Sequence, residues 1–352
     1  MMKKLISMTL VLALCVALFT ACGGNTTSTP AASDSNTPAA AESGDKDYKI
    51  AVVVKGNTNG WFIRMDEGIK KWAGETGMEA YMTGPTDTDS AQQIQIIQDV
   101  INQDIDALCV VPVDPVACES VLEEARQKGI VVICHEGSTV ENCDYDIEAF
   151  DNAGYGAYIM DQLADLMGEE GVYTTMVGFL TTASHNEWAD GAVARQAAAY
   201  PNLTLLPELP RIESENNTET AYEKAKEALK KYPDLAGFVG TCSDDAPGIA
   251  RAINELGLAG KVHVVGTGMP NECRDLLKDG SLTCITLWDP ADAGYAMCEL
   301  ARRVLDGEEI GEGTDLGLSA YDNLKVAADN DRLLMGAGFI CLTADTVDDY
   351  HF

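Results

Sequence analysis

After residue 19 this sequence lacks any apolar run near the roughly 20 residues needed to span a bilayer. With 46% apolar residues, the bulk of the chain reads as a soluble body, long enough for more than one core. Basic residues are scarce: 24 Lys and Arg stand against 56 Asp and Glu, a formal charge of -32. That balance disfavours nucleic acid and anionic membrane surfaces as partners. It does not name a ligand, because an acidic surface also serves to keep a protein in solution. Signatures of catalysis are missing as well. No glycine-rich phosphate loop leads into a lysine, and no serine sits in a nucleophile elbow. His135 and Glu136 open like a zinc-protease motif, but position 139 is Thr139, where the second histidine would have to stand. Gly266 and Gly268 lack the third glycine of a dinucleotide fingerprint. The expectation is therefore a protein with no enzymatic activity, no cofactor and no metal. Helix-turn-helix segments, heptads and short repeats are likewise missing.

What is present begins at the N-terminus. Lys3 and Lys4 precede an apolar stretch over 5–19, followed by Thr20, Ala21 and Cys22. The string LFTAC resembles the bacterial lipoprotein box, which implies removal of residues 1–21 and a lipid anchor on Cys22 at the outer face of the cell membrane. Losing two lysines leaves 22 basic residues against 56 acidic ones, a net of -34. Residues 22–47, rich in Thr, Ser, Pro, Ala and Gly, read as a disordered tether. Of the 11 cysteines, nine remain beyond Cys22, and several lie in apolar strand-like runs, so packing is favoured over a disulfide framework.

From residue 48 to about residue 305, strand-like runs alternate with helical patterns, the signature of parallel βαβ units and an α/β fold. Strands are expected at 50–54, 79–82, 107–111, 130–134, 172–177, 237–239, 262–265 and 283–287. Phe62, Met65, Ile69 and Trp72 recur at helical spacing after the first. Asp114 with Pro115, and Asp289 with Pro290, mark two helix starts. The reading is two lobes: 48–152 with 289–320, and 153–288 with 321–352.

Open parallel sheets bind ligands beyond the carboxyl ends of their strands. The residues there include Lys55, Asn59, Trp61 and Phe62; His135 and Glu136; Ser184, His185 and Asn186; Thr241, Ser243 and Asp244; Thr267; and Trp288. Aromatic faces beside carboxylate, amide and imidazole groups suit a polyhydroxylated ligand. Each has a plainer role to set against this. Asp114 and Asp289 read as helix caps, Trp72 as core, His263 as a structural histidine, and Trp61 is divided between core and cleft. His185, in the loop-like string TTASHNEW, favours binding.

The segments VVVKGNTNGWF, TGPTDTDSAQQIQIIQDVINQDIDALCVVPVDP, VVICHEGS, VVGTGMPNECRDLLKDGSLTCITLWDP and DDYHF resemble type I periplasmic sugar-binding proteins, within them the autoinducer-2-binding and rhamnose-binding branch. The resemblance spans residues 48–352. It implies two Rossmann-like lobes joined by a three-segment hinge, crossing near 150–152, 287–289 and 318–325. It further implies a monomer that closes on a small sugar or sugar-like ligand and docks on the permease and ATPase subunits of an ABC importer. Lys55 and Glu136 match the lysine and acid that contact ligand in autoinducer-2 receptors. Ser184, His185, Thr241 and Ser243 depart from that pattern toward a more polar pocket, while Asn59, Trp61 and Phe62 resemble ribose-binding proteins. The alternative is an autoinducer-2 receptor, or a ligand-sensing partner of a membrane signalling protein.

Overall fold

The computed structural model describes residues 47–352. The signal segment, Cys22 and nearly all of the tether lie outside them. The chain opens with β1 (Lys49–Val53), α1 (Gly60–Thr76), β2 (Glu79–Thr83), α2 (Ser90–Ile101), β3 (Ala107–Val110), α3 (Pro115–Gln127), β4 (Val131–Cys134) and β5 (Tyr145–Glu148). A second run follows: α4 (Asn152–Met167), β6 (Gly171–Val177), α5 (Ala183–Ala199), β7 (Leu203–Leu205), β8 (Arg211–Glu213), α6 (Thr218–Lys231) and β9 (Leu235–Gly240). It continues through α7 (Asp245–Glu255), β10 (His263–Gly266), α8 (Pro270–Lys278) and β11 (Cys284–Leu287). Then come α9 (Pro290–Asp306), β12 (Lys325–Ala327), β13 (Asn330–Met335) and β14 (Ile340–Thr343).

Two sheets result, each the centre of a lobe. The first has the order β12-β13-β5-β4-β3-β1-β2, the second β10-β9-β6-β7 with β8 also on β6. β11 pairs antiparallel with β14, and a bridge from Thr267 to Thr286 ties that ribbon to the second sheet. The first sheet is buried on both faces, as parallel sheets are. Ile50 and Val52 of β1 point to the core with Met65, Ile69 and Met297. Ala51 and Val53 point the other way, to Ile97, Val100 and Leu122. Asparagine and aspartate acceptors start the helices: Asp89 takes the Gln92 N–H, Asp114 that of Ala117, and Asp289 that of Ala291. The two proline-marked aspartates are thus caps, as read from the sequence.

Helix α9 leaves the second lobe and packs on α1, β3 and β4 of the first. A Cβ at Gly68 would stand 1.8 Å from the Ala291 carbonyl oxygen, and one at Gly294 2.5 Å from that of Met65. Glycine is what lets α1 and α9 approach this closely.

The C-terminal segment is shared differently from the expectation. β12 and β13 extend the first sheet through β5, and β14 is the strand that pairs with β11. The third crossing consequently lies at 336–339 and not within 318–325. Leu334 stands in register with Ile147, which keeps the chain on the first lobe as far as Met335. Gly336 and Gly338 then donate to the carbonyls of Glu148 and Ala149, so the third crossing runs beside the first. Each crossing carries one aromatic: Phe150, Trp288 and Phe339. The Tyr155 ring touches all three, at 4.1, 6.1 and 6.0 Å between centroids.

Candidate functional site: the cleft between the lobes

Strand ends from both sheets converge on one cavity. Lys55 follows β1, and Asn59 caps α1, its side chain accepting the Trp61 N–H at 2.8 Å. Trp61 and Phe62 occupy the first turn of that helix. Past β4, Glu136 holds a left-handed backbone (φ 57) that non-glycine residues rarely adopt. From the second lobe come His185 and Trp188 on α5, Thr241 to Asp244 after β9, Thr267 after β10 and Trp288 after β11. The cavity they enclose is narrow, with a free volume of about 40 Å³, below the roughly 300–1,000 Å³ of small-molecule sites.

At its floor the Lys55 ammonium meets Glu136 Oε2 at 2.5 Å, the two side chains being 3% and 4% exposed. Ser184 donates to the same oxygen from the second lobe at 2.8 Å. Burial pushes the Glu136 carboxyl up, but the Lys55 ammonium, together with the neighbouring His135 and His185 rings, brings the group down to about 2. Asp244 accepts from Thr218 at 2.7 Å and from Asn59 at 3.4 Å. Below it, Asp245 accepts from the Thr241 and Cys242 N–H groups and fixes that loop.

The two cleft histidines carry opposite tautomers, inferred from their partners. His185 Nδ1 accepts from the Gly178 N–H at 3.2 Å, so its proton sits on Nε2. His135 Nδ1 lies 2.5 Å from the Ile147 carbonyl, which can only accept, so its Nε2 is bare. Burial lowers both, and with the Lys55 charge takes His185 to about 3, so both are neutral at pH 7. The charged side chains lining the cavity among the described residues are Lys55, Glu136 and Asp244. The one cation there is already paired, which leaves nothing to compensate an anionic ligand. Trp61 and Trp288 stand edge to face at 4.5 Å, and Trp188 lies 5.3 Å from Trp288, forming an aromatic wall.

Of the residues singled out from sequence, Lys55, Asn59, Trp61, Phe62, Glu136, His185, Thr241, Ser243 and Trp288 line the cavity, with Asp244 and Thr267 of the wider strand-end set. Trp61 serves both core and cleft. Three residues do not line it. Ser184 lies behind Glu136, and His135 is fully buried beside Trp288. Asn186 turns away, donating to the Phe179 and Thr182 carbonyls and accepting from Arg211. His185 lies in the first turn of α5, not in a loop: that helix buries Ser184, His185, Trp188, Ala189, Gly191 and Ala192, a face on which one large apolar residue stands among small and polar ones and gives only a faint helical signal. Thr88, Trp188, Asn216 and Cys242 also line the cavity, four residues that the sequence reading does not single out. Trp72 is core, as read, and donates to Glu299 at 3.1 Å. His263 is half-buried on β10, away from the cavity. All nine cysteines among the described residues are free thiols, eight of them buried.

Two α/β lobes with a polar, aromatic-walled cavity between their strand ends define a ligand-capturing protein. Residues 50–309 match the model of the periplasmic binding protein domain, and the chain belongs to that family. It is a binding protein and not an enzyme. It is 26% identical over 279 residues to the D-allose-binding periplasmic protein of Escherichia coli K12, covering 75% of this chain and 86% of that one. To the D-ribose/D-allose-binding protein of Pseudomonas aeruginosa it is 29% identical over 248 residues, 66% of this chain and 74% of the relative. Among solved structures, LsrB from Clostridium saccharobutylicum in complex with AI-2 superposes with a TM-score of 0.79 at 20% identity, over 86% of this chain and all of that one. A solute-binding protein from Clostridium phytofermentans with bound L-rhamnose gives 0.78 at 19% identity, over 87% and 98%.

Proposed function

We propose that this protein is the extracytoplasmic substrate-binding component of an ABC importer. It captures a neutral sugar or sugar-like polyol between its lobes, closes on it and delivers it to the permease, acting as a monomer held to the membrane by a lipid on Cys22. The observation that carries this reading is the sealed Lys55–Glu136 pair at the cavity floor, flanked by indole rings and by neutral hydrogen-bonding groups from both lobes. Such a surface offers donors and acceptors to hydroxyls, covers the C–H faces of a sugar ring, and provides no unpaired cation for a phosphate or carboxylate. The named relatives bind D-allose and D-ribose, which supports the ligand class. The lipid anchor rests on the LFTAC string alone.

The test is calorimetry against D-ribose, D-allose, D-xylose, D-galactose, L-rhamnose and autoinducer-2. Saturable heat with one or more sugars is expected. Tight autoinducer-2 binding with no response to any sugar would overturn the ligand class and leave the fold untouched.

A further inference from the structure

Among the described residues, six buried side-chain atoms have no hydrogen-bond partner within the protein, and three of them belong to one corner of the cleft. They are Trp61 Nε1, Trp288 Nε1 and His135 Nε2. The Trp288 ring is the hub, 4.5 Å from that of Trp61 and 6.0 Å from that of His135. All three residues are at least nine-tenths buried. The other two tryptophans do not share this condition: Trp72 donates to Glu299, and Trp188 donates to Asn152 at 2.7 Å.

The chemistry of these atoms is fixed. An indole N–H donates and never accepts. His135 Nε2 accepts and does not donate, because Nδ1 holds the proton for the Ile147 carbonyl. A second acceptor stands near it: Glu136 Oε1, the oxygen that bonds neither Lys55 nor Ser184, is 4.0 Å from His135 Nε2. Two donors and two acceptors thus belong to residues grouped around the Trp288 ring. An unmade bond at a buried polar atom is costly, so the folded cleft selects for a group that completes them.

We propose that this corner is a specificity determinant that reads one hydroxyl of the ligand. The hydroxyl takes an indole N–H from Trp61 or Trp288 on its lone pairs and gives its proton to His135 Nε2 or Glu136 Oε1. An ether or carbonyl oxygen accepts but cannot donate, and it leaves the two acceptors facing each other. An ammonium donates but cannot accept, and it leaves the indoles bare. A carboxylate adds a negative charge beside Glu136. His135 thereby acquires a role that its absence from the cavity lining hides: it decides which way the O–H points. The inference rests on the sugar reading of the cleft and adds which group is recognised and by what.

An ordered water offers the same donors and acceptors, and the experiment separates the two sources. The full chain is labelled with nitrogen-15, and its four indole N–H signals are assigned with Trp61→Phe and Trp288→Phe. It is then titrated with whichever of D-ribose, D-allose and L-rhamnose gives heat. The Trp61 or Trp288 signal, or both, should move downfield at saturation, while the Trp72 signal stays in place. One mono-deoxy derivative of the same sugar should bind at least about tenfold more weakly and leave the moved signal at its ligand-free position. Heat with both cleft indoles unmoved overturns the proposal, since their acceptor is then water or nothing, and leaves the sugar reading standing. Absence of heat with every sugar overturns the sugar reading and this inference with it.

Discussion

At Glu136 a left-handed backbone, worth about 1–2 kcal/mol against a non-glycine residue, coincides with a buried carboxylate. Both costs are offset locally by the Lys55 ammonium and the Ser184 hydroxyl. Glu136→Gln should lower stability by roughly 3–5 kcal/mol in urea, because it strands the Lys55 charge, and weaken ligand binding tenfold to hundredfold. Adding Lys55→Met should recover most of the stability and none of the affinity. The carboxyl sits below its ordinary value of 4.5, so its contribution is present above that pH and is lost as pH falls from about 4.5 toward about 2. The stability gap between wild type and Glu136→Gln should therefore be full at pH 7 and shrink across that acid window in parallel urea titrations. Lys55 and Glu136 were legible because each follows an apolar strand. Thr88 and Asn216 were not, because they arrive on loops beyond β2 and β8 and become neighbours of the cleft through tertiary folding. Asn216 donates to Thr88 across the two lobes at 3.2 Å.

The elements with apolar runs were readable, and those whose polar residues are buried were not. Strand β5, Tyr-Asp-Ile-Glu, buries Asp146 and Glu148, the first held by the Gly137 N–H and the second by the Asn152 amide. No run of hydrophobic residues announces such a strand. With β5 unreadable, β13 has no partner to be assigned to, so the sequence reading puts β12 and β13 on the second lobe, whereas β14 does pair with β11 there. The contact of α1 with α9 gives a paired test. Gly68→Ala drives a methyl into the Ala291 carbonyl and should cost about 1–3 kcal/mol or more by urea unfolding. Gly74→Ala, on the same helix with nothing within 4 Å, should instead add roughly 0.4–1 kcal/mol.

Across the whole molecule, the lobes meet through direct bonds as well as through the cavity. Thr182 donates to the Val113 carbonyl at 3.1 Å, Ser138 donates to Glu187, and Asn59 reaches Asp244. These contacts hold the lobes against each other around the cavity in this structure. If capture works by closure, a saturating sugar should reduce the radius of gyration in small-angle scattering and raise the midpoint of thermal unfolding. Binding at a hundredfold excess over Kd is worth about 2.7 kcal/mol. Stabilisation without compaction would count against closure.

The three crossings set what kind of motion such a closure would be. A lone connecting segment would leave one lobe free to tilt, roll and twist on the other. Here three segments lie side by side, the first and third hydrogen-bonded through Gly336 and Gly338, and all three pinned on Tyr155 through Phe150, Trp288 and Phe339. A strap of this kind should bend more easily about one axis than about the others, so a closing motion of the lobes is expected to follow one soft coordinate. On that motion Ser184 would return to Glu136, and Asn216 to Thr88, along the same arc each time, and the search for mutual orientation would be reduced to one coordinate before any ligand arrives.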